Sequence, residues 1–150
     1  MRNSFAGLSD IHRRGIRATL VFVDEALCQI EQWAKGCELH SELYQETNTL
    51  SDQQRALLME ELAGMRRVIA ELRDALDLEV EHKNIAAAVH GLSCSLWPHL
   101  VELRGKHLQR YGDLPLDAVD ELTPRVDELI RRIRNIADIA RGNIPSDREK

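Results

Sequence analysis

Glycine and proline are scarce in this sequence, at eight and four of 150 residues, and aromatic side chains make up only 4%. Strand-like stretches are nearly absent, since the one β-branched cluster, Thr19–Val23, sits inside a helical repeat. These absences exclude a sheet-based fold, and with it the glycine-rich loop that follows a strand in nucleotide-binding enzymes. No apolar run approaches the roughly 20 residues that span a bilayer, the longest being Ile85–Val89. The opening residues, Met1-Arg2-Asn3-Ser4-Phe5, lack the apolar centre of a secretory signal. Three cysteines, Cys28, Cys37 and Cys94, are an odd number without the spacing of a disulfide framework. The expectation is a cytoplasmic protein with free thiols and no membrane role.

A basic excess is also missing. The formal net charge is −5, and acids alternate with bases. Glu121 with Arg125, Asp127 with Arg131, and Glu128 with Arg132 are acid-first pairs four residues apart, the spacing of a solvated helix face. Arg13, Arg14 and Arg17 form the only basic clump. It is too small to carry nucleic-acid binding alone, so no nucleic-acid partner is expected.

What the sequence does have is a repeated 4-3 spacing of apolar residues. It runs through Ile16, Leu20, Val23, Leu27, Ile30, Ala34 and Cys37, on to Ser41 and Tyr44. It returns as Leu58, Leu62, Met65, Ile69, Leu72 and Leu76, and again as Leu122, Val126, Leu129, Ile133, Ile136 and Ala140. A mean period of 3.5 lays an apolar seam along helices packed lengthwise. After Leu76 the phase jumps to Leu78, His82, Ile85, Val89, Leu92, Leu96, Leu100, Leu103 and His107, which predicts a turn at Asp77–Glu81.

Four helices follow from this pattern. The first is capped by Ser9 and runs to about Glu46. The second starts at Asp52 behind a Ser51/Gln54 capping box and ends near Leu76. The third covers about Val80 to Tyr111, with Pro98 as either a kink or a break. The fourth covers Asp117 to Arg141, with Pro124 either at its first position behind Thr123 or after a preliminary turn. Residues 1–8 read as a flexible leader and 143–150 as a flexible tail. The expected architecture is all-α: a single domain over 1–150, an up-down-up-down four-helix bundle with a long first helix and coiled-coil-like packing. In that register the start of the first helix overhangs the second, leaving Ile11, Ile16 and Leu20 uncovered. This predicts a homodimer through that region.

Helix three is the place to look for chemistry, because it is apolar around most of its circumference yet holds His82, His90, Cys94, His99 and His107. His90 and Cys94 share one helix face, and Cys37 and His40 are three apart on the first helix. Two cysteines and two histidines make a weak candidate set for tetrahedral zinc. Glu79-Val80-Glu81-His82 matches once the Glu-x-x-His spacing of di-metal bundles, which need it twice. Over seven residues, Val89-His90-Gly91-Leu92-Ser93-Cys94-Ser95 faintly resembles the A-H-x-L-K-G-x-S pattern of histidine phosphotransfer domains. Ser93 replaces the usual lysine and Cys94 the usual glycine, which removes the phosphate-orienting group. Glu38, Glu42 and Glu46 form an acidic ladder near the predicted end of helix one, a solvated face or a docking surface for a basic partner. Trp33 and Trp97 are expected in the core, each indole N–H needing an acceptor.

No catalytic residue and no cofactor is assigned. The expected role is a non-catalytic adaptor, regulator or scaffold acting through helix packing with itself or a protein partner. The alternative is a metal-binding or phospho-accepting His/Cys site on helix three.

Overall fold

A computed structural model of the chain describes residues 4–144. Among these the protein is all-α. It consists of α1 (Asp10–Ala34), α2 (Asp52–Leu76), α3 (Ile85–Val101), α4 (Gly105–Leu108) and α5 (Leu116–Ala140), with a 3₁₀ turn at Gln109–Tyr111 and no strand. The chain divides into two compact units, Met1–Glu81 and His82–Lys150. Of the leader, residues 1–3 lie outside the described part. The rest forms a turn closed by the Leu8 N–H on the Phe5 carbonyl at 3.0 Å. The expected tail lies outside the described residues from 145 onward.

In the first unit α1 and α2 form an antiparallel hairpin. Both starts are where the sequence puts them. Ser9 accepts from the His12 N–H, and His12 Nδ1 reciprocates to the Ser9 N–H, a capping box with histidine in the usual Glu/Gln place. Ser51 and Gln54 close the same reciprocal pair. Leu27, Ala34 and Leu62 are buried between the helices, with Val23, Ile30, Leu58, Met59 and Ile69 packed around them. Each fully buried leucine contributes about 1.5–3 kcal/mol. Apart from Met65, which is 44% exposed, the heptad seam over α1 and α2 is therefore their packed face.

The first helix is not long. It stops at Ala34, and like α2 it has 25 residues. The stop is chemical. Gly36 takes φ +87°, its N–H donates to the Trp33 carbonyl, and the Cys37 N–H reaches back to Gln32 at 3.0 Å. This is a Schellman cap, which a left-handed glycine makes possible. The seam had carried the reading through Gly36 to Glu46; residues 35–51 instead form an irregular connector. With helices of equal length, the overhang of α1 disappears. Its N-terminal turn lies level with the end of α2, where Arg13 Nη1 donates to the Leu76 carbonyl at 2.6 Å. Arg17 donates to the Glu79 carbonyl and pairs with Glu81 at 2.6 Å. Two of the three clumped arginines thus satisfy the C-terminal end of α2 and the turn beyond it, where orphan carbonyls and the helix dipole favour cations.

The turn after Leu76 is present, with Asp77 at φ +50°. In the second unit α3 starts later than expected, at Ile85, behind an Asn84 cap whose side chain accepts from the Ala87 N–H at 3.0 Å. It also ends earlier, at Val101. Pro98 lies inside and the helix persists one turn past it, closing with Glu102 N–H on the Pro98 carbonyl. Tighter bonds from Leu103 to Leu100 and Arg104 to Val101 then unwind it before Tyr111 is reached. The short α4 follows. Buried Gly105 brings its backbone so close to Val119 that a Cβ would meet Val119 Cγ1 at 2.7 Å. Helix α5 runs through Pro124, so that proline neither starts it nor follows a separate turn. Thr123 Oγ1 donates back to the Val119 carbonyl at 2.8 Å rather than capping.

Gly36→Ala places a Cβ 2.7 Å from Arg55 Nη1 and forces a left-handed alanine. We expect it to destabilise the first unit by about 1–2 kcal/mol, measured by urea denaturation followed through Trp33. An unchanged midpoint would refute the cap as the stop signal.

Candidate functional site

The metal candidates are carried by the two units, a pair on each. Cys37 and His40 lie in the connector of the first unit; His90 and Cys94 lie on α3 of the second. His90 and Cys94 do share a face, with Sγ 3.7 Å from Nε2, and Cys94 is exposed. His40 Nε2 instead meets Glu38 at 2.9 Å, and exposed Cys37 has its thiol on Gln32 Oε1 at 3.6 Å. Among the described residues no three His, Cys, Asp or Glu side chains converge as a metal would need. Beside Cys94 a cavity of about 200 Å³ is lined by Ser93, Trp97, Ile133, Arg134 and Ala137, a mostly apolar set that does not include His90. The Glu79–His82 stretch is not helical, so its carboxylate and imidazole do not share a helix face.

The acidic ladder is not a ladder. Glu38, Glu42 and Glu46 lie in the connector, and two of them hold it shut. The Glu46 carboxylate accepts from the Trp33 indole at 3.0 Å, the Tyr44 hydroxyl at 3.1 Å and the Leu39 N–H at 2.9 Å. Glu38 accepts from the Asn48 N–H at 2.7 Å, and Asn48 Nδ2 donates to the Trp33 carbonyl at 2.7 Å. The backbone adds Ser41 N–H to Tyr44 and Glu46 N–H to Leu39, around an isolated His40–Gln45 bridge. An open cavity of about 360 Å³ lies against Trp33, Cys37, Glu46 and Asn48. Leu43 stands at the tip, fully in solvent.

The Asn48 N–H, and after it His40, hydrogen-bond the ionised Glu38 carboxyl and hold it below its ordinary 4.5. The folded connector thus prefers the carboxylate. Its contribution is present above pH 4.5 and is lost as pH falls through the lower folded value. We expect amide-exchange protection of Asn48, corrected for intrinsic rate, to fall as acid is added below pH 4.5, and Glu38→Gln to lose that dependence along with most of the protection at neutral pH. Protection unaffected by Glu38→Gln would contradict this.

The third feature is a face that sequence reasoning placed wrongly. Helices α3 and α5 run antiparallel: Arg104 pairs with Asp127 at 3.0 Å, and Arg134 lies over the Trp97 ring at 5.6 Å. Their contact is built on Ser93 from α3 and on Val126 and Ile130 from α5, all buried. Ser93 Oγ donates to the Val89 carbonyl at 2.8 Å, so the small hydroxyl is satisfied within its own helix. The heptad seam of α3 is elsewhere. Ile85 is 67% exposed, Leu92 62% and Leu96 42%, with Leu103 and Val89 close behind. On α5 the seam residues Leu129 and Ile136 are about half exposed. At about 100° per residue, the open α3 stripe lies about 70° from the Ser93 line. The Leu129–Ile136 stripe lies about 90° from the Val126–Ile130 line in the same rotational sense. In an antiparallel pair, offsets of one sense fall on the same side. The two stripes form one apolar face about two helices wide.

No protein-family model, no curated protein and no solved structure matches this chain.

Proposed function

We propose that this protein is a non-catalytic helical interaction protein of the cytoplasm, an adaptor, regulator or scaffold that works by helix packing with itself or with a protein partner. One observation carries the reading. From Ile85 to Val101, α3 contains no Asp, Glu, Lys or Arg, yet Ile85, Leu92 and Leu96 stand in solvent. Apolar surface of this extent usually has a partner. Two further points support it. No helix among the described residues is long and apolar enough to cross a membrane. The charged groups described above are spent on caps, connector closure and mutual pairing rather than gathered at a reactive centre.

The up-down-up-down four-helix bundle expected within one chain gives way on this reading to a coiled-coil-like four-helix packing formed when the α3/α5 pair meets a second pair of helices. On this reading a homodimer contact lies on that face rather than at Ile11, Ile16 and Leu20. Ile16 and Leu20 are half-buried on the α1 seam, and only Ile11, at 80%, stays open. On α2, Leu57, Met65 and Val68 are open too, but no neighbouring helix without charged residues extends that patch as α3 extends the Leu129–Ile136 stripe. We assign no nucleic-acid partner, because acids and bases are interspersed along the surface helices.

A photoreactive side chain at position 92, introduced in the cells that make the protein, is expected to trap one discrete species. The same group at Asp120, on the far side of α5, is expected to trap none. No adduct from position 92 would sink the proposal.

A further inference from the structure

We infer that the occupant of the α3/α5 face is the same face of a second copy of this chain. The inference rests on the helix-packing reading and names its partner. Three observations lead to it.

The first is area. Ile85, Leu92, Leu96, Leu103, Leu129 and Ile136 are between 39% and 67% exposed. Together they present on the order of 500 Å² of apolar side chain. A standard interface covers about 800 Å² per partner, a little over half of it apolar. The face is therefore the size a stable dimer needs, without help from any other surface.

The second is charge. A face that awaits a partner of opposite sign carries a rim of one sign. Here the rim is compensated within the chain. Glu121 pairs with Arg125 at 3.5 Å and Glu128 with Arg132 at 2.7 Å. Self-pairing of such a face brings no block of like charges together, and no field selects a strongly acidic or basic partner.

The third is register. The open residues Ile85, Val89, Leu92 and Leu96 keep the 4-3 spacing, and Leu129 and Ile136 are one heptad apart. Knobs-into-holes packing needs a matching period on the opposing helices. A second copy supplies that period and the same two-helix width, related by a two-fold axis in an isologous contact. The product is a four-helix bundle made of two α3/α5 pairs.

Sedimentation equilibrium of the full chain across the micromolar range tests this. The expected mass is twice the 17.1 kDa of one chain. Leu92→Ala/Leu96→Ala keeps helix propensity and should weaken the dimer at least tenfold. Leu92→Glu/Leu96→Glu should leave only monomer, with helical circular dichroism retained. Leu129→Ala/Ile136→Ala should weaken it likewise from the other helix, and Leu57→Glu/Val68→Glu on α2 should leave the dimer intact. A chain that is monomeric at every concentration overturns the inference, as does a dimer indifferent to both alanine pairs or one broken by the α2 pair. A monomer whose position 92 traps a different protein overturns the second copy while the helix-packing reading stands. A monomer that traps nothing sinks both.

Discussion

A helix with a single neighbour hides a stripe about 100° wide, and whatever apolar surface exceeds that stripe must face water or a further partner. The two hairpins meet this constraint differently. In α1 and α2 the apolar residues are concentrated on one stripe, around Leu27, Ala34 and Leu62, and much of the remaining circumference carries charge. Helix α3 has no charged side chain, so one neighbour cannot use up its apolar surface. It buries a small residue, Ser93, and leaves Leu92 and Leu96 on the outside. The choice is consistent with packing physics. A serine whose hydroxyl bonds its own backbone costs little to bury.

The same demand for satisfied polar groups explains the connector. An irregular segment leaves backbone donors without helical partners. Glu38, Glu46 and Asn48 supply acceptors and a donor across ten or more residues, and they tie the segment to Trp33 at the end of α1. Side chains that look like a docking surface when drawn on a helix are internal ligands of a loop. Their negative charge is directed at N–H groups of the chain itself, which is the geometry in which charge-assisted hydrogen bonds are strongest.

What could be read from residues alone follows the range of the interaction. Ser51 and Gln54 announce α2 because a capping box is complete within four residues. The turn after Leu76 was visible as a phase jump because a hairpin changes which face is packed. Gly36 was not recognised as a stop, because a Schellman glycine and a tolerated mid-helix glycine look alike when the apolar spacing continues beyond them. That continuation, Cys37, Ser41 and Tyr44, was coincidental. The closure of the connector depends on Glu46 finding Trp33 thirteen positions away, a contact with no local signature. In α3 the period was read correctly and the direction was not. A helix apolar on nearly every side has a seam but no unique buried face, and only the identity of its neighbour decides which line is covered.

That last point bears on how the heptads of the second unit should be understood. In α1 and α2 the 4-3 seam and the packed face coincide, so the period is accounted for by the hairpin. In α3 they separate, and in α5 only in part: Val126 is buried and Leu122, Ile133 and Ala140 are half-buried, while Leu129 and Ile136 stay open. The open residues are offset by about a quarter turn from the packed line of Ser93, Val126 and Ile130. Regular 4-3 spacing is costly to maintain on a surface that contacts only water, where it exposes leucines and lowers solubility. It has a physical use where knobs meet holes along two or more turns. The spacing on the open side is thus not accounted for by the α3–α5 contact, and it is the pattern that the proposed second contact would use.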